Sequence, residues 1–524
     1  MSVFSWLEYR SNVMNALNRK ICTCKNKYIQ RAVNDMLNIN IAVEQEENFI
    51  WYKGNPDYFM WFYTIGKIAN GVENIFNQHL ARNWTSYYWR LSAEETNIKR
   101  THSALPRTAI TFLDKALGDP IFKCEDVALD KRLKEILKSN NALSTFSKQQ
   151  RLDMVIGDGA YIVNIDSELS DTPILEYVDG RDCQFEWLGD KITAVIVFKR
   201  YEKNGEIYTC VERRTTERKK QIIKGGYKTI AVNEYALFQN DSERGFIECP
   251  LNTIEETSGL RPREVYDIPF MLAVPCMREI DEENKRGVSM FRGRIDLFDD
   301  LDQSLSMESN TLRASTPVEY IDSNLLDKDK DGNPIIPSTF GKQYTIYKGA
   351  ENYNQTPNQI QTTFYQIDFN KLSIESQENV SRCLNGWISP ASFGFDISRK
   401  DNALAQREKE KITMQTLKDL KEYNIPVKEQ LAKVLLASDG LMQDAKYKYT
   451  DINVEVKYKD YATPSLSEKI QAYKDAVLSG VLSVDRFISE CYGDESKEAQ
   501  EKEKQAILEV LKKDKFNFNF SEVE

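Results

Sequence analysis

Residues 287–315 read GVSMFRGRIDLFDDLDQSLSMESNTLRAS. The apolar residues of this stretch recur every three or four positions, which is the spacing of one face of an α-helix. They are Phe291, Ile295, Phe298, Leu301, Leu305 and Leu312. With Pro317 just beyond its end, the pattern predicts a helix over 288–315, roughly 40 Å long at about 1.5 Å per residue. A rod of that length with a narrow apolar stripe is expected to pack against parallel neighbours.

On the carboxyl side, the pattern predicts a small strand-rich unit carried between two helices. Predicted strands cover Val318–Ile321, Gln343–Tyr347 and Thr363–Phe369, and a second helix covers 371–388. Residues 389–402 are polar and broken by glycine, with neither a helical nor a strand period. A helix then begins at Ala403, and Pro426 predicts a kink or break in it. The two helices and the strands between them form a stalk with a tip.

On the amino side, a helical region rich in aromatic residues precedes an antiparallel meander. The aromatic cluster around Lys53-Gly54-Asn55-Pro56 is typical of a core. Asn204-Gly205 between two alternating runs predicts a tight hairpin. A basic run along the meander is expected to form the solvated face of a ribbon, with contact to phosphates as the alternative. It comprises Arg213, Arg214, Arg218, Lys219, Lys220, Lys224 and Lys228.

Composition excludes several classes of function. The 524 residues carry a net charge of −10, so the chain should not coat nucleic acid nonspecifically. Nine cysteines without CxxC spacing read as small core residues of a reducing compartment. Only His79 and His102 are present, which excludes His-rich zinc sites, and we expect His102 to be an exposed residue at a helix entry. Neither glycine-rich phosphate-binding motif occurs, and no apolar stretch is long enough to span a membrane.

One segment imitates a calcium-binding loop. Asp327, Asp329 and Asp331 alternate before Gly332, as in an EF-hand. The twelfth loop position, which requires a bidentate glutamate, is Ser338. We therefore expect a solvated turn, and neither metal nor cofactor in the chain.

The order of these features resembles the portal proteins of tailed double-stranded-DNA bacteriophages, particularly the type found in phages of Gram-positive hosts. The resemblance covers roughly residues 50–510 and lies in the order of its motifs. The most specific stretch is Gly287-Val288-Ser289-Met290 through Ile295-Asp296-Leu297, Leu301-Asp302 and Arg313. Further motifs are Trp51 to Pro56, Leu105-Pro106-Arg107, Gly157-Asp158-Gly159-Ala160, Asn233 to Ala236 and Leu478 to Ser483.

The resemblance implies an α+β portal fold. It divides the chain into an α/β wing (1–287), stem helix 1 (288–315), a small strand-rich clip (316–370), stem helix 2 (371–388), a tunnel loop (389–402), a long kinked wing helix (403–438) and an α-helical crown with the carboxyl-terminal tail (439–524).

It also implies a non-enzymatic function: a ring at one capsid vertex of the virion, typically a dodecamer, assembled in the host cytoplasm. This head–tail connector forms the channel for DNA packaging and ejection. The implied partners are further copies of the chain, double-stranded DNA, the terminase large subunit, a head–tail adaptor, and the major capsid and scaffolding proteins, without a membrane. Residues 288–370 carry seven basic and twelve acidic residues, so a bore built from them should let DNA slide.

Three sets of residues are the expected sites. Those expected to pack between subunits are Phe291, Ile295, Phe298, Leu301 and Leu305. Those expected to face DNA in the tunnel loop are Phe393, Phe395, Arg399 and Lys400, unless the loop is a surface connection whose aromatic rings pack under a neighbouring helix. The expected docking turn of the clip comprises Asp327, Asp329 and Asp331.

Two other classes of protein remain open from the sequence. One is a nucleic-acid-processing enzyme that uses carboxylates and a divalent metal, which requires acidic residues clustered in one pocket. The other is a different structural protein of a virion, such as a baseplate component.

Overall fold

The computed structural model describes residues 39–59, 62–63, 88–89, 99–220, 227–241, 245–314, 318–322, 326–330, 335, 343–347, 361–363, 368–393, 403–443, 452–459, 486–488, 501–502 and 504–505. Helices and strands are mixed, so the α+β class is confirmed. The chain forms two compact units, Met1–Tyr458 and Lys459–Glu524. In the second unit, Phe487 and Ile488 lie in a helical segment and are buried.

Seven helices of the first unit have described bounds. They are α1 (Ile39–Lys53), α2 (Leu105–Leu117), α3 (Val127–Ser139), α4 (Ala142–Ile156), α5 (Ile295–Ala314), α6 (Phe369–Leu384) and α7 (Ala403–Met442). The α2 helix begins with Pro106 in its first turn, where a missing N–H costs nothing. The Asp126 carboxylate accepts hydrogen bonds from the backbone N–H groups of Ala128 and Leu129 and so caps α3. Among the described helices, none has the length and apolar character of a membrane span.

The described strands form four sheets. They are β1 (Ile121–Cys124), β2 (Asp158–Asn164), β3 (Ile174–Asp179), β4 (Cys183–Leu188), β5 (Lys191–Lys203), β6 (Glu206–Lys220), β7 (Tyr227–Asp241), β8 (Gly245–Cys249), β9 (Arg263–Tyr266), β10 (Ala273–Met277), β11 (Val318–Asp322), β12 (Gln343–Tyr347), β13 (Gln361–Thr363) and β14 (Val454–Lys457). The largest sheet has the order β4-β5-β6-β7-β8, with β9 also paired to β7. The others are β10-β2-β3, β12-β11-β13 and β1-β14.

The predicted hairpin turn is confirmed. Asn204 and Gly205 join β5 to β6 with φ angles of 54° and 80°. Positive φ at both central residues is what a type I′ turn requires, and this turn matches the twist of the strands.

Two large apolar clusters hold the first unit together. One gathers α1, α2 and the helices α5 and α6, with Trp51, Phe59, Trp89 and Trp387 at its centre. The other lies between the β10-β2-β3 sheet and α3, α4 and α7. All cysteines in the described part are free, and all but the half-buried Cys249 are buried, as expected of core residues.

The first stem helix begins seven residues later than predicted. Residues 288–289 are irregular and 290–294 form turns, because the Ser289 hydroxyl donates to the carbonyl of Val155 and accepts from the N–H of Phe291. Gly293 then takes a φ of 71°, outside the helical region. The helix α5 therefore starts at Ile295.

The second stem helix and the third clip strand also differ from the prediction. The Asp368 carboxylate accepts from the N–H of Lys371 and starts α6 at Phe369, so the strand lies earlier, at Gln361–Thr363. The helix ends at Leu384, because Gly386 takes a φ of 82°.

The long helix ends four residues beyond its predicted bound of 438. The helix α7 continues through Pro426 to Met442, and β14 then pairs antiparallel with β1. Val454 and Val456 of β14 are buried in the second apolar cluster. Because these side chains complete that core, the first compact unit extends to Tyr458.

Candidate functional site: a two-helix hairpin and its anchors

The helices α5 and α6 form an antiparallel hairpin. The Asn379 amide donates to the Ser304 hydroxyl at 2.6 Å, and the Ser376 hydroxyl donates to a Glu308 carboxylate oxygen at 3.1 Å. From the first pair to the second, the residue number rises in α5 and falls in α6, so the two helices run antiparallel. The β12-β11-β13 sheet, which the chain builds between the two helices, therefore belongs to the end of the hairpin where α5 stops and α6 begins.

The exposed surface of the hairpin is acidic. Asp296 and Asp300 are exposed one turn apart on α5, and Glu375 and Glu378 are exposed on α6. Partial burial, reinforced by the neighbouring Asp296 carboxylate, raises the pKa of Asp300. Such a surface repels phosphates.

The stripe expected to pack between subunits is instead buried inside the chain. Phe291, Ile295, Phe298 and Leu301 lie in the first apolar cluster, and Leu305 is half-buried at its edge. The four buried residues are therefore not available for contact between subunits, because helices from other parts of the same chain cover them.

Other apolar side chains of the hairpin face outward. Met307 and Leu312 on α5 are 51% and 58% exposed, and Ile374 on α6 is 56% exposed. Leu312 is the exposed end of the predicted stripe, and Leu312 and Ile374 offer the hairpin an apolar surface for a neighbour. Met307 instead lies on the face of α5 that carries Asp296 and Asp300.

A buried histidine–aspartate pair joins α5 to the amino-terminal region. The Nδ1 atom of His102 lies 2.7 Å from Oδ2 of Asp302, and both side chains are buried. Asp302 also accepts from the indole N–H of Trp89 at 3.1 Å and from the N–H of Ser103 at 2.9 Å. The imidazole ring packs between Trp51 and Phe59. The prediction that His102 is exposed is therefore wrong.

A second aspartate of α5 holds the same region. The Asp299 carboxylate accepts from the backbone N–H groups of Tyr88 and Trp89, at 2.6 and 3.4 Å. Charge-assisted hydrogen bonds of this kind are about twice as strong as neutral ones. Asp299 and Asp302 therefore anchor α5 to the amino-terminal region.

Asp158 and Arg286 anchor the base of the hairpin. The buried Asp158 carboxylate accepts from Nε and Nη2 of Arg286, at 2.6 and 2.9 Å, and from the N–H of Gly287 at 2.9 Å. Gly157 and Gly287 pack so closely that a Cβ atom on either would overlap the other's carbonyl oxygen. This contact gives the Gly157-Asp158-Gly159 and Gly287 motifs a physical reason.

The predicted tunnel loop begins as an ordered turn. Residues Pro390–Phe393 form a 3-10 helix, although no helical period was found there. The buried Thr413 hydroxyl of α7 accepts from the N–H of Ser389 at 2.8 Å. The Phe393 ring packs on Phe112 of α2 with centroids 4.9 Å apart, which favours the alternative of aromatic packing for this residue. Phe395, Arg399 and Lys400 lie outside the described residues.

The acidic turn of the clip is described in part. Asp327 and Asp329 are exposed, and the N–H of Ile335 donates to the carbonyl of Asp327 at 2.7 Å. Asp331 lies outside the described residues. Within the described ranges, no group of three metal-ligating side chains occurs.

A buried polar cluster fixes the long helix α7 beside Pro426. The ammonium group of Lys428 donates to the side-chain carbonyl of Gln149 at 2.7 Å and to the hydroxyl of Tyr161. Asp153 accepts from the hydroxyl of Tyr423 at 2.7 Å. Burial lowers the pKa of Lys428 to about 7 and raises the pKa of Asp153 to about 7.

Replacing Lys428 by Met should stabilise the protein at neutral pH. Lys428 keeps its proton up to about pH 10 in the unfolded chain but only up to about pH 7 in the folded one. The free-energy cost of losing this proton on folding is therefore absent above about pH 10 and reaches its full value at about pH 7. Met fills a similar volume without a buried charge, and the Tyr161 hydroxyl keeps its 2.9 Å bond to Gln149. We expect a gain of about 1–4 kcal/mol at pH 7 that shrinks as pH approaches 10. Thermal unfolding at both pH values measures it, and a variant less stable than the parent at pH 7 contradicts it.

Comparisons with known proteins give the following. No protein-family model matches the chain, and no curated protein does. Among solved structures, a chain of "Neck of native GTA particle computed with C12 symmetry" is 11% identical, with a TM-score of 0.35, over 73% of this chain and 88% of that chain. A chain of "Virion of native gene transfer agent (GTA) particle" is 10% identical, with a TM-score of 0.37, over 72% and 87%. These values establish no family.

Proposed function

We propose that the protein is a portal subunit of a tailed, phage-like particle. Copies form a ring at one capsid vertex, and their hairpins line the hole through which double-stranded DNA enters and leaves. One observation carries this proposal: an antiparallel hairpin, anchored in the body at its base, carries a separate three-stranded sheet and exposes carboxylates. The order of sequence motifs from Trp51 to Ser483 supports it.

The charges of the hairpin suit a channel for a polyanion. Its exposed bases Lys371 and Arg382 each lie 3.3 Å from a carboxylate, of Asp368 and Glu378 respectively. These pairs leave Asp296 and Asp300 to set the sign of the surface. DNA held by few cations moves freely, because each phosphate contact adds a salt-dependent attraction.

The remaining assignments follow from the same proposal. Subunits meet partly through the exposed Leu312 and Ile374, and the ring is a dodecamer. The β12-β11-β13 sheet docks the terminase large subunit during packaging and a head–tail adaptor afterwards. The chain has no catalytic role, and the ring resides in the virion.

Mass photometry combined with negative-stain imaging of the purified chain tests the proposal. We expect one species of many 60.7 kDa subunits, seen as a ring with a central hole. A compact monomer or dimer at all concentrations and salts contradicts it.

A further inference from the structure

Strands β6 and β7 continue past their sheet as a two-stranded arm. Pairing of β5 with β6 stops at Thr215, and pairing of β9 with β7 stops at Ala231. The pairs from Glu217 and Ile230 to Lys220 and Tyr227 have only each other. One face of this arm is held to the rest of the chain, because Ile230 is buried and Glu217 pairs with Arg263 of β9.

The basic run divides into neutralised and exposed groups. Arg213 and Arg214 lie within the sheet and pair with Glu186 and Glu212 respectively. Lys228 on the arm pairs with Asp267.

The bases of the outer β6 segment differ from these. Thr216 to Lys220 are all exposed. The acidic residue among them, Glu217, is held at 2.7 Å by Arg263. Across the described residues, Arg218, Lys219 and Lys220 have no carboxylate partner. The arm therefore presents positive charge on a chain of net charge −10.

One face of the arm combines bases, a hydroxyl and an aromatic ring. Arg218 is directly opposite Thr229, and Lys220 is directly opposite Tyr227, so these four side chains share one face. Tyr227 is 70% exposed. Arg218 and Lys220 are two residues apart, about 6.6 Å along the strand. That separation lets each side chain contact a different phosphate of one backbone.

We propose that this face of the arm binds the phosphodiester backbone of duplex DNA. Bases, hydroxyls and Tyr are the groups that contact phosphates in protein–DNA interfaces, and a two-stranded ribbon fits the major groove. The face has no aliphatic side chain to anchor an acidic protein partner. This site lies on a different element from the hairpin and requires no ring, so it goes beyond the proposed function.

Fluorescence anisotropy with a labelled duplex, titrated between about 50 and 200 mM NaCl, tests the arm. The variant Arg218→Gln with Lys220→Gln should bind at least about fivefold more weakly at the low salt, with a salt slope reduced by about two. The matched control, Lys131→Gln with Lys138→Gln, removes the same charge from the exposed surface of α3 and should bind like the parent.

Circular dichroism verifies that each variant is folded. The charge-reversal variant, Arg218→Glu with Lys220→Glu, should bind DNA still more weakly than the glutamine variant. Equal affinity of parent and arm variant overturns the proposal. The proposal is also overturned if the variant loses self-association but binds DNA as the parent does. The arm would then contact an acidic surface of a neighbouring subunit. Mass photometry of the same samples measures ring formation separately. Monomers that bind DNA through the arm would contradict the proposed ring and leave the proposed DNA site intact.

Discussion

Replacing Phe298 and Leu301 by serine is expected to prevent folding of the chain, rather than to release folded subunits from a ring. Both side chains are 0% exposed, and Phe298 packs against Phe291 and Trp51. Truncating a buried Phe or Leu costs about 2–5 kcal/mol, and a buried hydroxyl without a partner adds to this. The sum of the two changes approaches the whole stability of a typical domain, about 5–15 kcal/mol.

The matched control changes two exposed side chains of the same helix. Met307→Ser with Leu312→Ser removes two half-exposed side chains, so the chain should fold with less than about 1 kcal/mol lost. Soluble yield and circular dichroism measure folding, and sedimentation measures assembly. Folded monomers from the Phe298 and Leu301 variant would show that the stripe serves subunit contacts after all. In the control, weaker ring assembly is the expected result.

Removing the Asp158 carboxylate should have the next largest effect. Asp158→Ala leaves the Arg286 guanidinium buried without its bidentate partner and leaves the Gly287 N–H unbonded. Breaking a buried ion pair from one side costs about 3–5 kcal/mol. Because this contact joins β2 to the base of the hairpin, the loss should appear as cooperative unfolding at lower denaturant concentration.

Two further variants make that measurement specific. Glu217→Ala breaks a half-exposed pair with Arg263, and its cost should not exceed about 1 kcal/mol. Asp158→Ala with Arg286→Met removes both buried charges and should recover part of the stability. Urea denaturation of all three gives the comparison. If Asp158→Ala unfolds at the same urea concentration as Glu217→Ala, the anchor assigned to the hairpin base is wrong.

Local patterns predicted the elements of the fold well. The apolar period of residues 288–315 predicted α5, and Asn204-Gly205 predicted the β5–β6 turn. Each depends on residues close in sequence, where propensity and turn geometry act. The tip strands β11 and β12 were predicted for the same reason.

Periodicity shows which face of a helix is buried, but it does not show which segment covers that face. The stripe on α5 is covered by Trp51 and Trp387, which are distant in sequence. Asp299 and Asp302 lie four residues after Ile295 and Phe298, and thus on the same side of the helix. From that spacing, the sequence could have predicted that both carboxylates are buried and require hydrogen-bond partners.

The corrected bounds have a similar explanation. The helix α5 starts late because Ser289 binds the carbonyl of Val155, a contact across 134 positions of sequence. Pro426 leaves α7 continuous, where tertiary packing of the helix outweighs the lost hydrogen bond. Phe393 could be assigned to packing only once Phe112 was placed beside it.

Cryo-electron microscopy of the purified assembly tests whether the α5–α6 hairpins line a central hole, because it shows where each hairpin lies. We expect a closed ring in which α5 and α6 surround the hole, with Asp296 and Asp300 facing the lumen and Leu312, on the opposite side of α5, turned away from it. A ring whose hairpins lie on the outer rim, or an assembly without a hole, would contradict it.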